Sequence, residues 1–172
     1  MRSSMRILST VLFAVGLILS SGSEAHAQAF VGAHVSVNDL EGATWGVGAR
    51  AGAVLHRGVD YSIALEGVGE YLWPPCESFE CDALAFQGNF LARRRVVSTA
   101  EAYLGLGLMY QNYTLEKDET QTDGDDFGLN IIVGTQAGQA SGVRPFLEVR
   151  FTVMDELENQ FGVAFGLRVP LG

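Results

Sequence analysis

From residue 28 onward the chain alternates. Apolar residues and small or polar ones change places at each step through eight successive runs. A period of two belongs to a β-strand whose faces meet different surroundings. No stretch in this region supplies the roughly 20 unbroken apolar residues of a membrane-crossing helix, so a helical span is excluded. The runs lie at 29–37, 43–55, 59–73, 83–94, 97–113, 126–138, 143–153 and 160–171. Turn-forming segments separate them: Asn38 to Gly42, His56 to Gly58, Pro74 to Asp82, an Arg93-Arg94-Arg95 corner, an acidic 114–125 loop, Gly138 to Gly142, and 154–159. In the second run Trp45, Val47, Ala49, Ala51 and Leu55 lie opposite Thr44, Gly46, Gly48, Arg50 and Gly52. In the eighth, Phe161, Val163, Phe165, Leu167, Val169 and Leu171 lie opposite Gly162, Ala164, Gly166 and Arg168. The sheet therefore has one apolar and one polar face.

The first 27 residues read differently. Arg2 and Arg6 precede the apolar run Ile7 to Leu19, and Ala25-His26-Ala27 supplies an A-x-A cleavage site. This is the pattern of a cleavable signal peptide, which leaves 28–172 as one domain. The 20 Asp and Glu residues outnumber 11 Lys and Arg, a formal charge of −9. Nothing here would neutralise a phosphate backbone, so nucleic acid is excluded as a partner. Lys117 is the single lysine, a sparse provision for a surface wetted all round.

Alternation alone does not say which face points inward. A soluble barrel turns its apolar set to the core, and a membrane barrel turns it to lipid. Three features favour lipid. The polar face is mostly Gly, Ala and scattered single charges, which suits a narrow interior filled by side chains. Its charges nearly balance, with Glu66, Glu70, Glu101 and Glu148 against Arg50, Arg150 and Arg168, and enclosed charges must be paired. Trp45, Tyr71, Trp73, Tyr110, Phe127 and Phe161 fall near one end of their runs on the apolar face, an aromatic girdle of the kind a membrane interface favours. The expected fold is all-β: an eight-stranded antiparallel up-and-down transmembrane β-barrel, monomeric, surrounded by outer-membrane lipid. Connections sort by end as well. Those after runs 1, 3, 5 and 7 hold fourteen of the 20 acids, including Asp39, Glu41, Glu77, Asp118 and Glu119, and would face outside; the opposite turns hold Arg57, Arg93, Arg94 and Arg95.

Tyr103-Leu104-Gly105-Leu106-Gly107-Leu108-Met109-Tyr110 resembles the Y-x-G-x-G-x-x-Y strand of the small outer-membrane β-barrel proteins, the OmpA-transmembrane-domain and opacity-like group. Phe127 to Gly134, Arg144 to Phe151 and Phe161 to Arg168 are similar to that family's last three strands. The resemblance implies an eight-stranded outer-membrane barrel of a Gram-negative-type cell, delivered to the membrane by the barrel-insertion machinery. It carries over no catalytic residue and no cofactor. One departure is the end of the chain, Arg168-Val169-Pro170-Leu171-Gly172, where the family usually places an aromatic residue.

Four groups of residues carry candidate chemistry. The lumen set Arg50, Glu66, Glu70, Glu101, Glu148, Arg150 and Arg168 reads as a plug that closes a narrow barrel, in preference to a gate that exchanges ion pairs. Cys76 and Cys81, the only cysteines, read as a disulfide in an exported loop stiffened by Pro74-Pro75. Asp118, Asp123, Asp125 and Asp126 do not match a calcium-loop pattern, and solvation explains them better than metal binding. His34 and Ser36 share a face, but one histidine beside one serine is a thin basis for a nucleophile. The favoured function is a non-enzymatic structural or surface-interaction barrel. The alternatives are a secreted or periplasmic lipocalin-like barrel with an apolar ligand, and an outer-membrane lipid-modifying enzyme.

Overall fold

The computed structural model describes residues 28–40, 42–76, 80–117, 120–137 and 142–171. The expected signal peptide and Glu41, Glu77, Asp118 and Glu119 lie outside the described residues. Eight strands follow one another: β1 Ala29–Asp39, β2 Ala43–Arg57, β3 Tyr61–Trp73, β4 Asp82–Val97, β5 Ala100–Lys117, β6 Thr120–Ala137, β7 Arg144–Met154 and β8 Gln160–Leu171. Each pairs antiparallel with the next, and β8 pairs with β1 to close the barrel in the order β1 to β8. Closure gives every strand two neighbours, which is how a sheet satisfies its backbone inside lipid.

Register places the two faces as the alternation requires. Val35 pairs with Val47 and with Phe165, all on the outer wall, while the lumen residue His34 meets Gly48 and Gly166. Leu106, Ile131 and Phe165 are 62%, 45% and 56% exposed, so the apolar set lines the outside of the cylinder and the inward-facing alternative fails. Trp45, Trp73, Phe127 and Phe161 stand exposed near one rim, with Tyr71 edge-on to Trp73 at 5.0 Å and Tyr110 tilted against Phe127 at 5.0 Å.

Lumen glycines make room for the side chains that fill the interior. A Cβ at Gly52 would lie 2.5 Å from the ring of Phe30, and one at Gly134 would overlap the ring of Tyr103. At the β1–β2 turn Gly42 has φ 100°, a left-handed conformation that a side chain would strain, and Thr44 donates its hydroxyl to the Leu40 carbonyl across that turn.

Two expected connections are strand instead. The Arg93-Arg94-Arg95 corner belongs to β4, in ladder with Tyr103, Ala102 and Glu101, and the turn falls at Ser98 and Thr99. The reason lies in the alternation, which carries Leu91 and Arg93 into the lumen, where Arg93 lies 4.7 Å over the Phe30 ring. The acidic 114–125 loop is likewise zipped into the β5–β6 hairpin, with Thr114 opposite Asp123 and Leu115 opposite Thr122. Tyr113 and Leu115 continue the inward apolar positions, packing with Leu40, Leu72 and Ala83 into a buried cluster at this end of the barrel. Burial there outweighs the turn-like composition. The hairpin rises past both neighbours, since β4 pairs only as far as Thr114 and β7 only from Gly128.

Candidate functional site

Strand alternation points the charged residues of five strands at a common axis. Arg50 comes from β2, Glu66 and Glu70 from β3, Glu101 from β5, Glu148 and Arg150 from β7, and Arg168 from β8; all are buried. Six of them form two ion-paired groups. In the first, Arg168 grips Glu66 with two donors, Nε to Oε2 at 2.9 Å and Nη2 to Oε1 at 3.1 Å. Arg50 Nη1 reaches Glu66 Oε1 and Glu148 Oε2, both at 3.1 Å, spanning the lumen from β2 to β7. In the second, Arg150 Nη2 donates to Glu70 Oε2 at 2.9 Å and to Asn38 Oδ1 at 2.8 Å. Glu101 stands apart, accepting from Gln136 Nε2 at 2.8 Å.

The polar face also supplies partners that the alternation alone does not single out. Tyr103 donates its hydroxyl to Glu148 at 3.0 Å, and Gln136 accepts from Arg168 at 2.9 Å. The Arg50 and Arg168 guanidinium groups lie 4.2 and 4.3 Å over the buried Phe146 ring. Arg93 joins Arg168 over Phe30. Only the period-two rule could have flagged these residues, because which ones meet depends on strand stagger around the cylinder. Each charge that leaves water here is costly unless it is paired and hydrogen-bonded, and this geometry meets that condition for six of the seven.

His34 and Ser36 enter the same interior. Ser36 donates to Glu70, and His34 Nε2 lies 3.7 Å from that carboxylate. The three side chains are enclosed in the lumen, on the opposite side of the wall from the apolar exterior. Cys76 and Cys81 form a disulfide in the β3–β4 connection. The described acidic candidates, Asp123, Asp125 and Asp126, are not gathered. Asp126 turns inward and accepts the backbone N–H groups of Phe127, Glu156 and Leu157, at 2.7, 3.0 and 2.7 Å, fastening the β7–β8 connection to β6. Asp123 and Asp125 remain exposed. Among the described residues no three His, Cys, Asp or Glu side chains converge as a metal-ligand set.

No family model matches this chain, and no curated protein matches it in sequence. Solved structures do. Neisserial surface protein A (NspA) is similar with a TM-score of 0.59 at 14% identity, over 86% of this chain and 98% of that one. Ail, the attachment invasion locus protein of Yersinia pestis, gives 0.58 at 11%, over 84% and 95%. The outer membrane enzyme PagL gives 0.51 at 11%, over 83% and 99%. At this identity the likeness speaks for architecture: the chain has the fold of the small eight-stranded outer-membrane β-barrels.

Proposed function

We propose that this protein resides in the outer membrane as a monomeric, non-enzymatic barrel with a structural or surface-interaction role, its lumen plugged by the Glu/Arg network. Export by the 1–27 signal and delivery of the 28–172 barrel by the insertion machinery belong to the same reading. The observation that carries it is the set of contacts spanning the lumen. Arg50 ties β2 to β3 and β7, and Arg150 ties β7 to β1 and β3. Eight strands enclose little more than their own side chains, and the Arg–Glu contacts across the axis, with Arg168 gripping Glu66 through two donors, support a closed lumen. The Leu40–Leu72–Leu115 cluster adds an apolar stopper at the acidic end. Reconstitution in planar bilayers tests the plug: the expected record has no stepwise conductance, and regular ohmic steps would sink it. Fractionation tests residence. The protein should sediment with outer membranes and migrate faster on gels before heating than after, whereas recovery in the aqueous periplasmic fraction would refute it.

The enzymatic reading has one specific support, the proximity of Ser36, His34 and Glu70 in a fold that PagL shares. Against it, a hydroxyl enclosed in the lumen does not meet a lipid substrate, which approaches from outside the wall. A His34→Ala change should leave membrane lipid composition unaltered; a changed lipid profile would restore the enzyme.

A further inference from the structure

The lumen charges balance except at one end. The two ion-paired groups use Arg50, Arg150 and Arg168 against Glu66, Glu70 and Glu148. Below them, at the mouth ringed by the β2–β3 and β4–β5 turns, two more arginines enter the interior. Arg93 is 4% exposed and Arg144 is 9% exposed, yet neither makes an ion pair among the described residues. Arg93 Nε and Nη2 and Arg144 Nε are buried donors without an acceptor. A buried guanidinium with unused N–H groups is a costly arrangement in a folded protein unless something completes it.

The surroundings define what would complete it. Both arginines line a recess of about 260 Å³, counting the part open to solvent, together with Arg168, Phe30, Gln28 and Gln136. Its enclosed part admits only a group about the size of a water molecule, so a ligand enters end-on with a terminal atom. Phe30 fixes the Arg93 guanidinium from one face. Neither neighbouring acid pairs with them: Glu66 is taken by Arg50 and Arg168, and Glu101 accepts from Gln136, whose carbonyl in turn accepts from Arg168. Exposed Arg57, Arg94 and Arg95 on the rim, against Asp60, extend the positive field outward. The exposed apolar residues Val59, Val96 and Val97 stand on the same rim, as they would at a bilayer surface.

We propose that this mouth is an oxyanion site in which Arg93 and Arg144 receive a terminal phosphate group, either free or borne on a lipid head group at the membrane surface. Arginine forks match phosphate oxygens with paired, charge-assisted hydrogen bonds; Arg93 offers such a fork through Nε and Nη2, and Arg144 adds its single Nε. Arg93 and Arg144 take no part in the ion-paired groups, although Arg168 borders both, so the proposed role does not require the lumen to conduct.

The test uses the full barrel in uncharged detergent micelles, titrated with sodium phosphate against sodium chloride at matched pH and ionic strength. Thermal unfolding should show a saturable, phosphate-specific rise of a few degrees. Line broadening of the phosphate ³¹P resonance should report the same binding directly. Arg93→Gln and Arg144→Gln should each weaken the apparent affinity at least tenfold, while Arg94→Gln, on the exposed rim, should match the unaltered protein. If Arg93→Gln does not fold, Arg93→Lys keeps the charge and loses the fork, and should weaken binding too. Micelles doped with phosphatidic acid, whose head group is a terminal phosphate, separate the two sources. A lipid-borne phosphate fills the site and abolishes the response to free phosphate, whereas an unchanged response assigns the site to the free ion. Either no response beyond chloride, or a response undiminished in both Arg93→Gln and Arg144→Gln, overturns the proposal.

Discussion

Replacing Glu66 by glutamine should be among the most damaging single changes in this barrel, although it alters one atom. Glu66 accepts from Arg50 at 3.1 Å and twice from Arg168, at 2.9 and 3.1 Å, with both of its oxygens. In the intact group two arginines face two glutamates. Once the carboxylate becomes an amide, only Glu148 remains for both cations, at 3.1 Å from Arg50 and 3.5 Å from Arg168, and one buried positive charge is left over. Breaking a buried pair in this way costs ~3–5 kcal/mol. The double change Glu66→Gln with Arg168→Gln restores neutrality and leaves Arg50 with Glu148. It should therefore cost less than the sum of the two single changes by ~1–3 kcal/mol. Urea unfolding in lipid vesicles, followed through Trp45 and Trp73 on the outer wall, measures all three variants. A single-mutant cost below ~1 kcal/mol, or strict additivity, would refute the idea that the lumen is held by charge pairing.

Three other changes probe separate parts of the same picture. Leu104→Arg, on the outer face of β5, should cost ~2–4 kcal/mol in a bilayer, and a silent substitution there would count against lipid contact. Gly134→Val pushes into the Tyr103 ring and displaces its hydroxyl from Glu148. A loss of ~1–3 kcal/mol is expected, with partial rescue by Tyr103→Leu, which removes the ring, if the clash is the cause. Asp126→Ala removes the acceptor for three backbone N–H groups. The β7–β8 connection should then become more susceptible to proteolysis from the acidic side while the heat-modifiable gel shift persists.

The wall was legible in the sequence because a strand repeats every two residues and lipid tolerates no exception. Trp45, Leu106, Ile131 and Phe165 could be assigned to one face without knowing which residue each would meet. That Glu66 and Arg168 would each meet an opposite charge follows from a similar rule, since an enclosed charge has to find one; the same rule does not single out Glu101, which meets Gln136 instead. Who pairs with whom was not legible. That Arg50 reaches Glu148, 98 positions away, follows from the stagger of the closed sheet, which no local pattern encodes. The ends were the least readable. Asp123, Gly124 and Asp125 look like a loop by composition, yet Tyr113 and Leu115 keep the inward apolar rhythm and hold the hairpin together. Arg93 looks like a rim residue beside Arg94 and Arg95. It goes inside because it falls in phase with Leu91 and can stack on Phe30.

Barrels that share only 11–14% of their residues with this one close in the same way, which says how little a particular wall sequence matters. Any apolar residue satisfies the bilayer side, and many polar sets can fill eight strands. What distinguishes one such barrel from another must then lie where neither constraint applies, at the two ends. Here those ends are opposite in charge. One carries Asp123 and Asp125 on a hairpin that outreaches its neighbours, and Asp155, Glu156 and Glu158 on the β7–β8 connection. The other gathers Arg57, Arg93, Arg94, Arg95 and Arg144 around a mouth with unused donors. Arg50 and Arg150 also keep unused donors, but each has a carboxylate partner. Arg93 and Arg144 have none among the described residues, and apolar residues of similar volume would fill the same space at lower cost. On the oxyanion proposal, Arg93 and Arg144 are the residues whose loss should change what the protein binds at this mouth.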